Sequence, residues 1–169
     1  MLKEHRKISP RKVNCAVVTV SDTRDKSTDK SGKLLHELLD KANHNVVYYE
    51  IIRDEKSMIE TTMKNAITQP EIEAIIVNGG TGIAKRDVSI EAIQPLFDKE
   101  LPGFGEIFRY LSYELDIGSA SILSRAIAGV ANNTAIFSVP GSSGAVKLAM
   151  EKLILPELGH IVMEINKDR

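Results

Sequence analysis

Apolar residues recur along the chain in short unbroken runs that alternate with longer amphipathic segments. Three runs rich in β-branched residues are bounded by polar turns and cover residues 13–20, 45–52 and 72–77. Strands covered on both faces show such unbroken runs, because side chains in neither direction meet water. The pattern therefore predicts three buried strands.

An amphipathic segment follows each of these runs. After the first, Leu34, Leu35, Leu38 and Leu39 fall on one face of a helix that begins near Ser31. Further helices are predicted over residues 57–68, 89–97 and 104–115, and a last one follows residue 144. The position of Pro156 near the end of this last helix predicts a kink or a break there.

Two short apolar runs, residues 126–131 and 134–139, flank Asn132 and Asn133. Asn tolerates positive φ, so this pair predicts a hairpin. Strands that alternate with helices indicate βαβ units. We therefore expect an α/β fold of three layers, α/β/α, with a doubly wound, mostly parallel sheet and one antiparallel strand. A single domain over residues 13–169 is expected to follow a flexible leader over residues 1–12.

Length, charge and hydropathy argue against a nucleic-acid or membrane partner. A length of 169 residues suits one domain, and the net charge of −1 provides no strongly basic face for nucleic acid. Apolar runs are too short to span a bilayer, and no apolar segment follows the basic N-terminal cluster as in a secretory signal. We expect a cytoplasmic protein without a nucleic-acid or membrane partner.

Several chemistries are disfavoured by the sequence. Cys15 is the single cysteine and lies inside an apolar run, as a buried small hydrophobe does. The four histidines have no metal-ligand spacing, which argues against a zinc hydrolase. A G-x-S-x-G elbow is missing, and the few aromatic residues do not suggest a platform for single-stranded nucleic acid.

Glycine, serine, threonine and aspartate concentrate where four predicted strands end. In open α/β sheets, ligands bind at the carboxyl ends of the strands, so this distribution predicts a site at that edge. The four segments are Ser21-Asp22-Thr23, Arg53-Asp54, Asn78-Gly79-Gly80-Thr81-Gly82 and Pro140-Gly141-Ser142-Ser143-Gly144.

The segment Asn78-Gly79-Gly80-Thr81-Gly82 is the strongest local signal. Glycines let the backbone turn sharply and present several N–H groups to an anion, although a tight turn without a ligand is the alternative. Neither a dinucleotide fingerprint nor a Walker A loop is present. The segment from Pro140 to Gly144 precedes a helix and is a second candidate anion site.

Asp54 and Asp87 are the candidate metal ligands. Each alone has a simpler interpretation, as a helix cap for Asp54 and as a carboxylate at a helix N-terminus for Asp87. Together, at neighbouring strand ends, they suit a Mg²⁺ ion held also by water and substrate phosphates. Lys85, Arg86 and Arg125 are candidates to balance phosphate charge.

Five segments in order resemble the molybdopterin-binding family that includes MoaB, MogA and the gephyrin G domain. They are VTVSDTR with the DKSG segment that follows it, NGGTG-x-x-x-RDVS, LPGFGE, ILSRAIAG and VPGSSGAVKLAMEKLILPEL. The resemblance extends over nearly the whole chain. It implies a homotrimer or a hexamer, together with binding of ATP and molybdopterin. The implied reaction is transfer of the adenylyl group to the terminal phosphate of the pterin, with release of pyrophosphate.

The same resemblance implies roles for individual residues. Asp54 and Asp87 match the acidic pair associated with Mg²⁺ and catalysis. The residues expected to contact substrate or nucleotide are Ser21, Asp22, Gly79, Gly80, Thr81, Gly82, Pro102, Gly103, Glu106, Ser124, Arg125, Pro140, Gly141 and Ser142.

One motif departs from the MogA and gephyrin pattern. The final loop reads PGSSG, whereas those members have PG followed by Asn-Pro or Gln-Pro, and this places the chain nearer the MoaB branch. For that branch, a non-catalytic molybdopterin carrier is the alternative to an adenylyltransferase. Retention of both Asp54 and Asp87 favours the enzyme, because a pure binder needs no metal pair. A dinucleotide-dependent oxidoreductase is disfavoured by the missing fingerprint.

Overall fold

A six-stranded sheet forms the centre of the protein in a computed structural model that describes residues 11–169. Its strands are β1 (Asn14–Val20), β2 (Asn45–Ile52), β3 (Ala74–Asn78), β4 (Lys99–Glu100), β5 (Ile127–Ala131) and β6 (Thr134–Val139). The spatial order is β2-β1-β3-β6-β5-β4. Neighbours among β2, β1, β3 and β6 pair in parallel, and β5 runs antiparallel to both β6 and β4. The predicted mostly parallel sheet with one antiparallel strand is confirmed.

Helices cover both faces of this sheet. They are α1 (Lys30–Lys41), α2 (Lys56–Ile67), α3 (Ser89–Ile93), α4 (Pro102–Leu115), α5 (Ser143–Ala149) and α6 (Leu155–Asn166). Within the described residues, no helix has both the length and the apolar character needed to cross a membrane.

Two apolar cores lie on opposite faces of the sheet. Val17 of β1 packs with α1, α4, α5 and α6, and its neighbour Val18 packs with α2 and α3. Both side chains are fully buried, as the unbroken apolar run predicted. The result is the expected three-layer α/β/α arrangement. Cys15 is buried in the first core, and burial raises the pKa of its thiol to about 12, so it is inert at neutral pH.

The hairpin between β5 and β6 forms as predicted. Asn132 and Asn133 have φ values of 46° and 59°, and they join strands that pair from Ala131 and Thr134 outward. Two successive residues with positive φ give a turn whose twist matches the flanking strands.

The end of the last helical segment differs from a simple kink. Between α5 and α6, residues Met150–Ile154 form a π-helical turn, and Pro156 follows in the first turn of α6. Proline has no N–H to donate, and the wider turn ahead of it accommodates the missing hydrogen bond. The chain therefore continues as a helix past Pro156.

Two elements were not predicted. Strand β4 is a charged Lys-Glu pair that carries no apolar signal and exists because β5 offers an edge to pair with. A 3-10 segment, Gly118–Leu123, follows α4. The predicted helix over residues 89–97 is shorter, because α3 tightens into a 3-10 turn at Gln94–Leu96.

Most of the predicted leader lies outside the described residues. Only Arg11 and Lys12 of residues 1–12 are described, and both are exposed.

Candidate functional site

The carboxyl ends of β1, β2, β3 and β6 surround a cavity of about 580 Å³. Because these strands are parallel neighbours, the turns that follow them meet at one edge of the sheet. Most residues predicted from the sequence line this cavity. They are Ser21, Asp22, Asp54, Gly79, Gly80, Thr81, Gly82, Asp87, Ser124, Arg125, Pro140 and Gly141.

The glycine loop, residues 78–82, forms the floor of this cavity. Gly79 and Gly80 have φ values of 96° and 67°, in the region that favours glycine. A Cβ atom on Gly79 would lie 2.2 Å from the carbonyl oxygen of Val20, and one on Gly80 would lie 2.2 Å from Oγ of Ser89. The floor is therefore bare backbone, to which the phosphate of a ligand can approach closely.

Asp54 and Asp87 lie against this glycine loop. A Cβ atom on Gly80 would lie 3.1 Å from both carboxylate oxygens of Asp54, and one on Gly82 would lie 2.5 Å from Oδ2 of Asp87. Oδ1 of Asp54 accepts a hydrogen bond of 3.3 Å from the backbone N–H of Val88, one residue after Asp87. The two turns predicted to meet from distant parts of the sequence thus share one cavity.

The carboxyl group of Asp54 has a raised pKa. Partial burial is the largest cause, and the neighbouring negative charges of Asp87 and Asp22 add to it, against the lowering effects of the Val88 N–H and of Arg86. The ionised form of Asp54 is therefore held in an unfavourable position without a bound cation.

Each arginine that lines the cavity has an acidic partner. Arg86 pairs with Asp22, and Arg125 pairs with Glu91. The third, Arg24, lies 3.5 Å from the buried carboxylate of Asp29. Among the described residues that line the cavity, Asp54 and Asp87 are the carboxylates left without an ion pair. The cavity thus has two negative charges available to a cation.

Arg125 holds the glycine loop through its carbonyl groups. Its Nε donates to the carbonyl oxygen of Thr81 at 2.9 Å, and one terminal nitrogen donates to that of Gly82 at 2.7 Å and that of Asp87 at 3.4 Å. The pair with Glu91 fixes the same guanidinium from the other side. Arg125 therefore braces the loop, and direct contact with a phosphate is not required to explain its position.

The acidic pair fits Mg²⁺ in its donor chemistry. Carboxylate oxygens are the ligands that Mg²⁺ prefers, and the ion usually keeps sites open for water and substrate phosphates. Residues 11–169 contain no group of three or more His, Cys, Asp or Glu side chains suited to a metal. Two carboxylates leave the remaining positions of such an ion to water and substrate phosphates, and Mg²⁺ at Asp54 and Asp87 stays a prediction.

Four predicted site residues lie outside the cavity lining. Ser142 caps α5, its Oγ accepting a hydrogen bond of 3.2 Å from the N–H of Ala145. Pro102 and Glu106 line a second cavity of about 270 Å³, and a Cβ on Gly103 would meet nothing within 4 Å. Their part in ligand binding stays a prediction.

Sequence reasoning assigned no role to two other parts of the cavity. One wall is apolar and consists of Ile117, Ala120 and Leu123, which follow α4. The other is Arg24, whose signal was the SDTR segment at the end of β1. The apolar wall gave no signal, because it is formed by Ile117 and the unpredicted 3-10 segment that follows it.

Comparison with known proteins identifies the family and the fold. The family model described as "Probable molybdopterin binding domain" matches residues 16–160. A Bacillus subtilis relative, "Molybdenum cofactor biosynthesis protein B", is 59% identical over 168 residues, covering 99% of each chain. A crystal structure of a protein of that name superposes with a TM-score of 0.92 at 55% identity, covering 94% of this chain and 99% of that one. The "tungsten cofactor synthesizing protein MoaB" of Pyrococcus furiosus gives 0.82 at 41% identity, covering 93% and 99%. The chain belongs to the molybdopterin-binding-domain family of molybdenum cofactor biosynthesis proteins.

Proposed function

We propose that this protein binds molybdopterin and transfers an adenylyl group to it from ATP. An oxygen of the terminal phosphate of the pterin attacks the α-phosphorus of ATP. The bond from that phosphorus to the pyrophosphate oxygen breaks, and pyrophosphate leaves with the electron pair. The observation that carries the proposal is the pair of uncompensated carboxylates, Asp54 and Asp87, against a bare glycine loop.

Each part of the cavity has a role in this reaction. The backbone N–H groups of Gly80, Thr81 and Gly82 bind phosphate oxygens, whereas that of Gly79 already donates to the carbonyl oxygen of Val139 at 3.0 Å. Arg125 keeps the loop in place. Mg²⁺ held by Asp54 and Asp87 would supply neutralisation of phosphate charge. Positioning and charge neutralisation are the effects from which phosphoryl-type transfer gains most of its rate.

The apolar wall suits the flat ring system of a ligand. Ile117 and Leu123 are 47% and 52% exposed although both line the cavity, so their apolar surface is available to a ring. Polar floor and apolar wall together match a ligand with a phosphate at one end and a heterocycle at the other.

A non-catalytic carrier is the second candidate. The observation that favours it is the sequence PGSSG of the final loop, residues 140–144. MogA-like members have Asn-Pro or Gln-Pro after the PG pair. A carrier would keep the cavity and bind molybdopterin without turnover.

Pyrophosphate release separates the two candidates. Purified protein is mixed with ATP, Mg²⁺ and molybdopterin, and pyrophosphate is measured beside reactions that lack either Mg²⁺ or the pterin. We expect release that depends on both. Protein that binds the pterin but releases no pyrophosphate would contradict the enzyme and leave the carrier. We propose that the protein works in the cytoplasm, beside other enzymes of molybdenum cofactor assembly.

An exposed apolar strip favours self-association. Ile107, Tyr110 and Tyr113 project from α4 at intervals of three residues and are 50–63% exposed. The 3-10 segment that packs against α4 adds Ile122, which is 84% exposed. Exposed apolar groups of this size in contiguous elements mark interaction surfaces. We propose that further copies of this chain cover the strip in a homotrimer or hexamer, as the family resemblance implies.

Substituting charged residues into the apolar strip should dissociate the homotrimer or hexamer. We expect the double variant Ile107→Glu with Tyr110→Glu to have the mass of one chain by light scattering, because burying two carboxylates in an interface is unfavourable. Met58→Glu on α2, at the opposite face of the sheet, is the matched control and should keep the wild-type mass. A wild-type protein that is monomeric at all concentrations would refute the assembly.

A further inference from the structure

A cluster of buried polar side chains lies beneath the cavity. Thr19 of β1, Asp29 at the N-cap of α1, Ser31 of α1 and Asn78 at the end of β3 are at most 1% exposed. Burying polar groups destabilises a protein unless hydrogen bonds replace water, and these groups bond to one another.

The bonds join three elements into one unit. The hydroxyl of Thr19 donates to Oδ2 of Asp29 at 2.7 Å, and the amide of Asn78 donates to the Thr19 oxygen at 2.9 Å. The hydroxyl of Ser31 donates to the amide oxygen of Asn78 at 2.8 Å. Because Asn78 is the first residue of the glycine loop, the cluster fixes where that loop begins.

Asp29 is the acidic centre of the cluster. Burial alone raises the pKa of its carboxyl, but hydrogen bonds from Tyr49, Thr19 and Gly32 and the charge of Arg24 outweigh burial and lower it. Asp29 is therefore ionised at neutral pH. The arginine whose charge compensates it is Arg24.

Arg24 connects this buried cluster to the final loop. One terminal nitrogen donates to the hydroxyl of Ser31 at 2.5 Å, and the other donates to the carbonyl oxygen of Gly141 at 3.1 Å. Gly141 is 117 residues further along the chain. It lies so close to the glycine loop that a Cβ on it would be 3.1 Å from Cα of Gly79.

We propose that Arg24 is a positioning residue that fixes the final loop over the glycine loop. Anchored at Ser31 and Asp29, it holds the Gly141 carbonyl and so sets the spacing of the two loops that enclose the phosphates. The proposal rests on the proposed function for its effect on catalysis, but its structural content concerns the ligand-free protein. A counter-charge for the ligand is the competing role, since Arg24 also lines the cavity.

The variant Arg24→Lys distinguishes a positioning role of Arg24 from a role as a positive charge for the ligand. Arg24→Lys keeps the positive charge but has one terminal nitrogen, which cannot reach Ser31 and Gly141 together as the guanidinium fork does. Arg24→Gln removes the charge as well. Positioning predicts that both variants release the final loop, and Arg24→Gln at least as much because it also leaves the buried carboxylate of Asp29 without its counter-charge. A counter-charge for the ligand predicts that Arg24→Lys preserves function.

Hydrogen exchange in the ligand-free protein is the first measurement. The N–H groups of Ala145 and Val146 bond to Ser142 and report on the loop that Arg24 holds. We expect both Arg24 variants to exchange about tenfold faster than wild type in a peptide over residues 140–146. Arg86→Gln is the control: this cavity arginine contacts Asp22, and exchange in that peptide should stay at the wild-type rate.

Pyrophosphate release is the second measurement. We expect kcat/KM to fall about 10- to 100-fold in Arg24→Lys and Arg24→Gln alike. Wild-type exchange and wild-type kcat/KM in Arg24→Lys, with a loss confined to Arg24→Gln, would overturn the proposal. A wild-type protein without turnover contradicts the proposed function, and the exchange measurement then decides the inference alone. Melting temperatures of the variants establish that each is folded.

Discussion

Asp54→Asn is expected to lower the rate of pyrophosphate release by at least about 10³-fold while molybdopterin still binds. The amide keeps an oxygen for the hydrogen bond from the Val88 N–H, so the fold of the turn is retained. What is lost is one of the two charges available to Mg²⁺. The rate is measured at saturating ATP, and pterin binding is measured in a separate titration.

A matched variant separates this effect from a general loss of charge. Asp40→Asn removes the same charge from an exposed position on α1 and should release pyrophosphate at the wild-type rate. If Asp54→Asn also turned over normally, the metal role of Asp54 would be wrong.

Asp54→Asn should also be more stable than the wild-type protein when Mg²⁺ is absent. The pKa of Asp54 is raised by burial first, and by its acidic neighbours, so the folded state binds this proton more tightly than the unfolded chain does. The free energy of unfolding therefore decreases as the pH rises through that pKa. At neutral pH we expect Asp54→Asn to melt about 1–3 °C above wild type, a gain that disappears below the ordinary Asp pKa of about 4. Mg²⁺ should raise the wild-type melting temperature and leave the variant unchanged.

Gly79→Ala is expected to destabilise the protein by about 2–4 kcal/mol. The added methyl group would lie 2.2 Å from a backbone oxygen of Val20, at a φ of 96° that side chains rarely adopt. Backbone cannot yield as a flexible side chain can, so the glycine loop must shift. Thermal unfolding should show a melting temperature at least about 5 °C lower, and pyrophosphate release should fall with the displaced floor.

Gly103→Ala is the control for this stability measurement. A methyl group there meets nothing within 4 Å, and alanine favours the helix α4 in which Gly103 lies. Its melting temperature should equal or slightly exceed that of wild type. Equal melting temperatures for the two alanine variants would contradict the steric argument.

The three layers of the fold could be predicted from the spacing of apolar residues, because most helices and strands bury an apolar face. Strands β1 and β3 were visible as unbroken runs, and the hairpin was visible in Asn132 and Asn133. Strand β4 and the 3-10 segment after α4 had no such signal. Both are specified by their neighbours in space, β5 and α4, rather than by their own residues.

The candidate site, too, could be predicted only in part from the sequence. The turns after parallel strands must meet, so Asp54 and the glycine loop could be brought together from sequence alone. Which hydrogen bonds each side chain forms could not. Arg125 holds loop carbonyls, which its sequence position did not reveal, and its contact with substrate stays a prediction. The anchoring of Arg24 by Asp29 joins residues that sequence patterns do not connect to Gly141.

The segment Gly118–Leu123 has two sides that face different occupants. Leu123 lines the cavity, and its neighbour Ile122 projects into the strip proposed to contact another copy. Subunit contact that orders this segment would also order the wall against which a heterocycle lies. Subunit association would then favour ligand binding, and ligand binding would favour association. The affinity of the cavity for its ligand would therefore increase as the protein becomes more concentrated.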